Sequence, residues 1–434
     1  MSFPPYPKYK DSGVEWLGEV PEHWTTKRLG YFFQERNEKV SDTDFEPLSV
    51  TMQGIVPQIE TAAKSDAGDN RKRVACGDFV INSRSDRKGS SGVSSLDGSV
   101  SLISIVLTPR EEVRGDFIHH LLRSVDFQEE YYRYGKGIVA DLWSTKYSEM
   151  KNINLAVPPL PEQHAIAAFL DRETAKIDAL IAEQRRLIEL LKEKRQAVIS
   201  HAVTKGLNPD APMKDSGIEW LGEVPEHWEI IKFGHLVRES PCYGVLVPDH
   251  DDDGVPMLRI TDMEKGRAVK DDLNKISPGL SAQYSRTIVA VGDIALSVVG
   301  TIGEALIVDE ELAGVNLSRA VARIQVNDRI HASYATTVFA SSSFRRYIDL
   351  VCVGTAQRVL NMSDLVAFRL ALPPVDEQSL IQRYVHSATV RLDVLLDQAE
   401  QSITLLQERR AALISAAVTG KIDVRGVQGT GDAA

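Results

Sequence analysis

The sequence predicts a mixed α/β chain: two tandem domains of like fold, separated by long coiled-coil helices and related by an internal pseudo-twofold repeat. Three observations carry this. The segment Lys10–Trp24 returns as Lys214–Trp228 with fourteen of fifteen positions identical. A second block, Val157-Pro158-Pro159-Leu160-Pro161-Glu162-Gln163, returns as Leu372-Pro373-Pro374-Val375-Asp376-Glu377-Gln378 at an offset of 215. Beyond Pro161 and Pro374 each block runs to about Thr204 and Thr419 without a further proline or a glycine, as a long uninterrupted helix requires.

In chain order, residues 1–24 carry the first copy of the repeated motif, 25–157 a variable domain, and 158–213 a long helix and linker. Residues 214–228 are the second copy, 229–372 a second variable domain, and 373–434 the second long helix and tail. Within the motif, Val14, Trp16, Leu17, Val20 and Trp24 are what a packing segment needs, and Pro21 sets a turn. Asp11, Glu15, Glu19, Glu22 and His23 resemble metal or acid–base residues singly, but read together the segment is scaffold.

The variable domains diverge but keep a skeleton. Gly77-Asp78 matches Gly292-Asp293, and Phe117, Ser124, Phe127 and Gly137 match Tyr334, Ser341, Phe344 and Gly354. The β-branched runs Ser101–Leu107 and Ala320–Val326 predict strands, and Phe117–Tyr134 and Tyr334–Leu350 predict helices. The scaffold is repeated and the surface is not.

Each long helix opens on prolines and acids, which suit a helix N-terminus. With about 44 residues, each extends roughly 65 Å at 1.5 Å per residue. A heptad seam is predicted through Leu170, Ile177, Leu191 and Val198, with Ile166, Leu180 and Leu187 at the second position. The second helix offers Val385, Leu392, Leu406 and Leu413, with Ile381 and Leu395.

The chain has 434 residues, a net charge of −11 and three widely spaced cysteines, Cys76, Cys242 and Cys352. A disulfide framework and a cysteine zinc site are therefore not expected, nor is any other metal site, and a reducing cytoplasm is the expected location. No apolar run is long enough for a membrane span. No phosphate-binding G-x-x-x-x-G-K-[ST] loop, G-x-G-x-x-G turn, H-E-x-x-H pair or amino-methyltransferase tetrapeptide is present, so a catalytic role and a cofactor in this chain are not expected.

Basic and polar residues that would suit nucleic acid cluster in the first domain: Arg71, Lys72, Arg73, then Ser83, Arg84, Ser85, Arg87, Lys88 and Ser90, and later Lys136. Arginine can bond guanine O6 and N7 together, and serine and lysine bond phosphates. In the second domain the corresponding residues are scattered: Tyr243, Arg259, Arg319, Gln357 and Arg358. Neither domain is basic overall, with 18 Lys and Arg against 19 Asp and Glu in 25–157 and 15 against 18 in 229–372. Affinity for DNA must then come from a clustered face or from partner subunits.

The duplicated D-S-G-[VI]-E-W-L-G-E-V-P-E-H-W openings, the P-P-[LV]-x-E-Q helix starts and the glycine-bearing segments at Gly137 and Gly354 resemble the specificity subunits of Type I restriction–modification systems over essentially the whole chain. That resemblance implies target recognition domains that each read one half of a split, asymmetric double-stranded DNA sequence. It implies antiparallel helices that set the spacing and dock two modification subunits. S-adenosylmethionine, ATP and Mg would belong to the modification and restriction subunits, and this chain would be non-catalytic. The alternatives are a coiled-coil adaptor that binds only protein, which the acidic charge would suit, and a specificity subunit serving another anti-phage defence complex. A free-standing nuclease is disfavoured, since no P-D is followed nearby by [DE]-x-K.

Overall fold

A computed structural model describes residues 3–59, 70–137, 143–263, 268–352 and 358–427. The chain forms two compact units, Met1–Gln184 with Gln401–Ala434, and Arg185–Glu400.

In the first unit an antiparallel sheet orders Ser91–Val93, Phe79–Asn82, Ser104–Pro109 and Phe33–Glu35, beside a three-stranded sheet of Gly98–Ser101, Arg71–Val74 and Lys39–Val40. In the second, the order is Cys242–Tyr243, Val321–Ile324, Ile294–Ser297 and Ala305–Ile307, beside Lys275–Ile276, Val255–Leu258 and Asn316–Leu317. Each variable region is closed by its own ends. Thr25 pairs with Val157 across two antiparallel strands, and Glu229 pairs with Leu372.

The shared skeleton has structural causes. Gly77 and Gly292 turn with φ of 92° and 87°, a region open to glycine. The buried carboxylates that follow them hold the sheets. Asp78 accepts from Arg36 Nε at 2.7 Å, and Asp293 from Arg323 Nε at 2.6 Å. Phe117, Phe127, Tyr334 and Phe344 are fully buried.

Three local predictions need correction. The run Ser101–Leu107 is two strands, Gly98–Ser101 and Ser104–Pro109, because Leu102 and Ile103 form an exposed turn between them; its counterpart is the shorter Val321–Ile324. Each predicted helix is two: Gly115–Leu121 and Val125–Arg133, and Ala332–Phe339 and Ser342–Val351. Ser124 and Ser341 cause the break, each accepting from the backbone N–H three residues on, as N-caps do. Ser341→Ala should cost about 1 kcal/mol; thermal denaturation checks this, and an unshifted melting temperature would refute it.

The third correction concerns the seam of the long helices, Leu160–Lys205 and Val375–Val418. Ile166, Leu170, Ile177 and Leu191 are buried, with Val198 half-buried, and so are Ile381, Val385 and Leu392, with Leu406 and Leu413 half-buried. Leu180, Leu187 and Leu395, however, are 46%, 42% and 46% exposed. The second seam position lies one residue further on, at Thr174, Ile181 and Ile188, and at Thr389, Leu396 and Ile403. Both registers contain apolar residues, so periodicity alone does not choose between them. In the first unit Arg410 Nε bonds Asp178 at 2.9 Å; in the second Arg195 Nε bonds Asp393 at 3.0 Å. These two bonds occupy equivalent positions at the offset of 215, and the helices pack against each other within each unit. No helix among the described residues is long and apolar enough to cross a membrane.

Candidate nucleic-acid interface

The repeated motif and the E-Q pair at each helix start meet in three dimensions. Glu162 is buried and accepts from Tyr6 Oη at 2.7 Å and Trp24 Nε1 at 2.8 Å, with His23 Nε2 at 2.7 Å. In the second unit Glu377 bonds His227 at 2.9 Å and accepts from Trp228 Nε1 at 3.1 Å. The adjacent glutamine ties the helix to its variable domain. Gln163 Oε1 accepts from Arg114 N and Gln378 Oε1 from His331 N, at 2.8 and 2.9 Å. The His-Trp of the motif is thus half of a latch whose other half begins the long helix. Burial and the Glu162 bond push the Tyr6 hydroxyl far above its ordinary value, so it stays a donor.

Against this frame the basic residues fall into two groups. Arg71 and Lys72 point inward, contrary to a DNA-contacting role. Arg71 bonds Ser99 Oγ and O at 2.8 and 3.0 Å, and Lys72 Nζ bonds Ser104 O at 3.0 Å. Arg73 is half-buried, paired with Glu38 and stacked on Phe45. The triplet lies in the central strand of its sheet, where Arg71 and Lys72 are buried although successive side chains face opposite sides, so each finds its acceptor inside the fold. Ser83 and Ser90 are also buried. Arg84, Arg87, Lys88 and Lys136 are exposed, and Ser85 is half-buried. Lys88 is paired with Glu129, and Lys136 with Glu149 at 3.0 Å.

The second unit gathers what the sequence scatters. Val245 N bonds Leu317 O, Arg319 N bonds Val245 O, and Ser318 N bonds Leu258 O, so the segments bearing Tyr243, Arg259 and Arg319 are neighbours. Val298 N bonds Ala320 O, and Tyr243 Oη bonds Leu360 O at 3.1 Å, which brings Arg358 to the same edge. Gly244 is required here, since a Cβ would lie 1.9 Å from Leu317 O. Arg259 is held by both oxygens of Asp262, and Arg358 Nη1 by Asp349 at 2.5 Å, while Arg319 is exposed. Gln357 lies outside the described residues.

Both units carry the same short ladder. In the first, Ser85 N bonds Trp143 O and Thr145 N bonds Ser83 O, each at 3.0 Å. In the second, Gly300 N bonds Arg358 O at 2.9 Å and Leu360 N bonds Val298 O at 2.8 Å. All four ladder residues correspond at the offset of 215, so Arg358 does have a counterpart, Trp143. Sequence reasoning missed Trp143; its signal was being the one tryptophan outside the repeated motifs.

Elsewhere in the first unit, burial pushes His119 down to about 4, helped by Arg123 and His120. Arg123 Nη1 donates to its Nε2 at 2.7 Å. The folded value lies below the unfolded one of about 6.5, so the unfolded chain takes the proton first and stability is lost as pH falls from about 7 to 4. His119→Gln should flatten that decline, checked by melting temperatures at pH 7.5 and 5; an equally steep fall would refute the assignment.

Comparisons with known proteins meet this geometry. The model of the Type I restriction modification DNA specificity domain matches residues 225–401. The specificity subunit of the type I restriction enzyme EcoBI, from Escherichia coli, is 30% identical over 276 residues, 62% of this chain and 58% of that one. The chain therefore spans less than two thirds of that relative's length. A putative type I restriction enzyme MjaX specificity subunit from Methanocaldococcus jannaschii is 22% identical, covering 94% of this chain and 96% of its own. A solved chain from work on complex assembly and conformational transition of the type I R-M system superposes with a TM-score of 0.71 at 16% identity, covering 93% of this chain and 99% of that one, a likeness of fold. The twice-built latch and the twice-built ladder thus accompany a likeness to specificity subunits of type I restriction–modification systems that runs over most of the chain, with the DNA specificity domain matched in residues 225–401.

Proposed function

We propose that this chain is the DNA address of a type I complex. Each variable domain reads one half of a bipartite, asymmetric double-stranded sequence, and the chain itself performs no catalysis. One observation carries this most directly: two units repeat the same latch and the same ladder and dress them with different exposed side chains. Arg84, Arg87 and Lys88 stand on the first unit, Arg319 and Arg358 on the second. An adaptor that bound only protein has no need of two such faces on one frame.

In this role the antiparallel helices fix the number of unread base pairs, a separation near one helical turn. They also dock two modification subunits. Leu180, Leu187 and Leu395, which the packing leaves exposed, offer apolar surface for that contact. The modification subunits bring S-adenosylmethionine and methylate an adenine flipped from the stack. Restriction subunits add ATP- and Mg-dependent translocation and cleavage. The net charge of −11 predicts that this chain alone holds DNA weakly and that its partners supply much of the electrostatic attraction.

The test is single-molecule sequencing of host DNA, scored for N6-methyladenine, with the gene intact and deleted. A split motif that vanishes on deletion is the expected result. A methylation pattern unchanged by deletion in a host carrying the modification subunits would overturn the proposal.

A further inference from the structure

The two ladders share a backbone and differ in side chains, and they differ most at one end. The inner ends are buried in both units: Ser83 and Thr145 in the first, Val298 and Leu360 in the second. The outer ends face solvent, with Arg84 and Trp143 exposed in the first unit and Gly300, Arg358 and Val359 exposed in the second. No exposed position keeps its residue type between units, although the hydrogen bonds that fix the backbone are kept. A protein that must present two unlike chemistries on one fold can vary side chains only where the core does not constrain them.

Resting on the DNA-reading role above, we propose that the outer end of each ladder is the base-reading element: Arg84 and Trp143 for one half-site, Arg358 for the other. Of the other basic candidates, Arg87 and Arg319 are exposed but lie off the ladder hydrogen bonds, and three more are paired. Lys88 is paired with Glu129, Lys136 with Glu149, and Arg259 with Asp262. Arg84, by contrast, is exposed, and its guanidinium has no hydrogen bond or ion pair among the described residues. Trp143 is a large aromatic side chain left 38% exposed at the solvent end of the ladder. Asp349 holds one nitrogen of Arg358 and sets the direction of the planar group.

The chemistry of each position follows. Arg84 and Arg358 present the forked donors that match guanine O6 and N7 in the major groove. Trp143 presents an apolar face, which suits the thymine methyl group and excludes the exocyclic amine of a cytosine in its place. Ser85 and Gly300, opposite Trp143 and Arg358, are small, so backbone and base edge can approach closely there.

The experiment uses the full chain assembled with its modification subunits, and reads methylation over a library carrying every single substitution in both half-sites. Trp143→Ala should reduce discrimination at one base pair of one half-site by about tenfold or more, a single base contact's worth, and leave the other half-site unchanged. Trp143→Phe should retain most of the discrimination. Arg358→Ala should act on the other half-site alone, and Arg358→Lys should not restore it, because lysine lacks the fork.

Variants that match the parent in melting temperature and discriminate at every position as the parent does would overturn the ladder and spare the DNA-reading role. So would a uniform loss of methylation across all sequences, which marks a phosphate contact. A parent complex that methylates every library member alike would overturn both.

Discussion

Glu162→Ala is expected to cost the first unit roughly 3 kcal/mol or more, since two buried donors, Trp24 Nε1 and Tyr6 Oη, lose their shared acceptor and each stranded group costs about 1–3 kcal/mol. For a unit of this size that is a fall of about 6–12 °C in melting temperature. Glu377→Ala should cost less. His227 is half exposed, and Glu377 accepts from one indole with no tyrosine hydroxyl beside it. Glu162→Gln, which keeps an acceptor oxygen in place, should recover part of the loss. Scanning calorimetry of the three variants is the check. A fall under about 1 °C for Glu162→Ala, or a larger one for Glu377→Ala, would refute the latch as drawn.

Exchange of residues 25–157 for the equivalent domain of another system is expected to change one half of the recognised sequence and leave the other half intact. The structural reason is local. Thr25 and Val157 are partners across two antiparallel strands, so both ends of the graft enter and leave at one place. Beyond that junction Gln163 ties the long helix to backbone groups at Arg114 and Glu112 whatever their side chains, while His120 bonds Asp171 at 2.7 Å and is a position the graft should keep. Sequencing of methylated DNA from cells carrying the exchanged chain decides it. A change in both half-sites would show that the two domains do not read independently.

Much of the architecture was legible beforehand because it is written in repeats. Fourteen identities in fifteen positions declare two copies of one scaffold, and the long proline- and glycine-free blocks declare two helices. The positions Ser124 and Ser341 were visible as a matched pair, but their role as caps that split a helix was not. Nothing in the spacing of apolar residues around them changes where the first helix stops.

The site was legible only in part. The triplet Arg71-Lys72-Arg73 looks like a basic patch in one dimension, but two of its three side chains are spent on backbone oxygens and a serine inside the sheets. Tyr243, Arg259, Arg319 and Arg358 span more than a hundred residues, and only strand pairing makes them neighbours. Trp143 and Arg358 share no residue type, so they are recognisable as counterparts only through the hydrogen bonds that place them.

By itself, the sequence determined the duplication, the mixed α/β class, the two helices and the first seam position, and it carries the resemblance to type I specificity subunits. Those properties follow from local patterns: periodicity, capping chemistry and repeated blocks. The tertiary structure alone decided which leucines face outward, which basic residues are buried, how the His-Trp and Glu-Gln motifs lock together, and which unlike residues occupy equivalent places. These depend on which side of a strand or helix meets a neighbour distant in sequence. A one-residue change of register reverses that choice without altering composition or pattern.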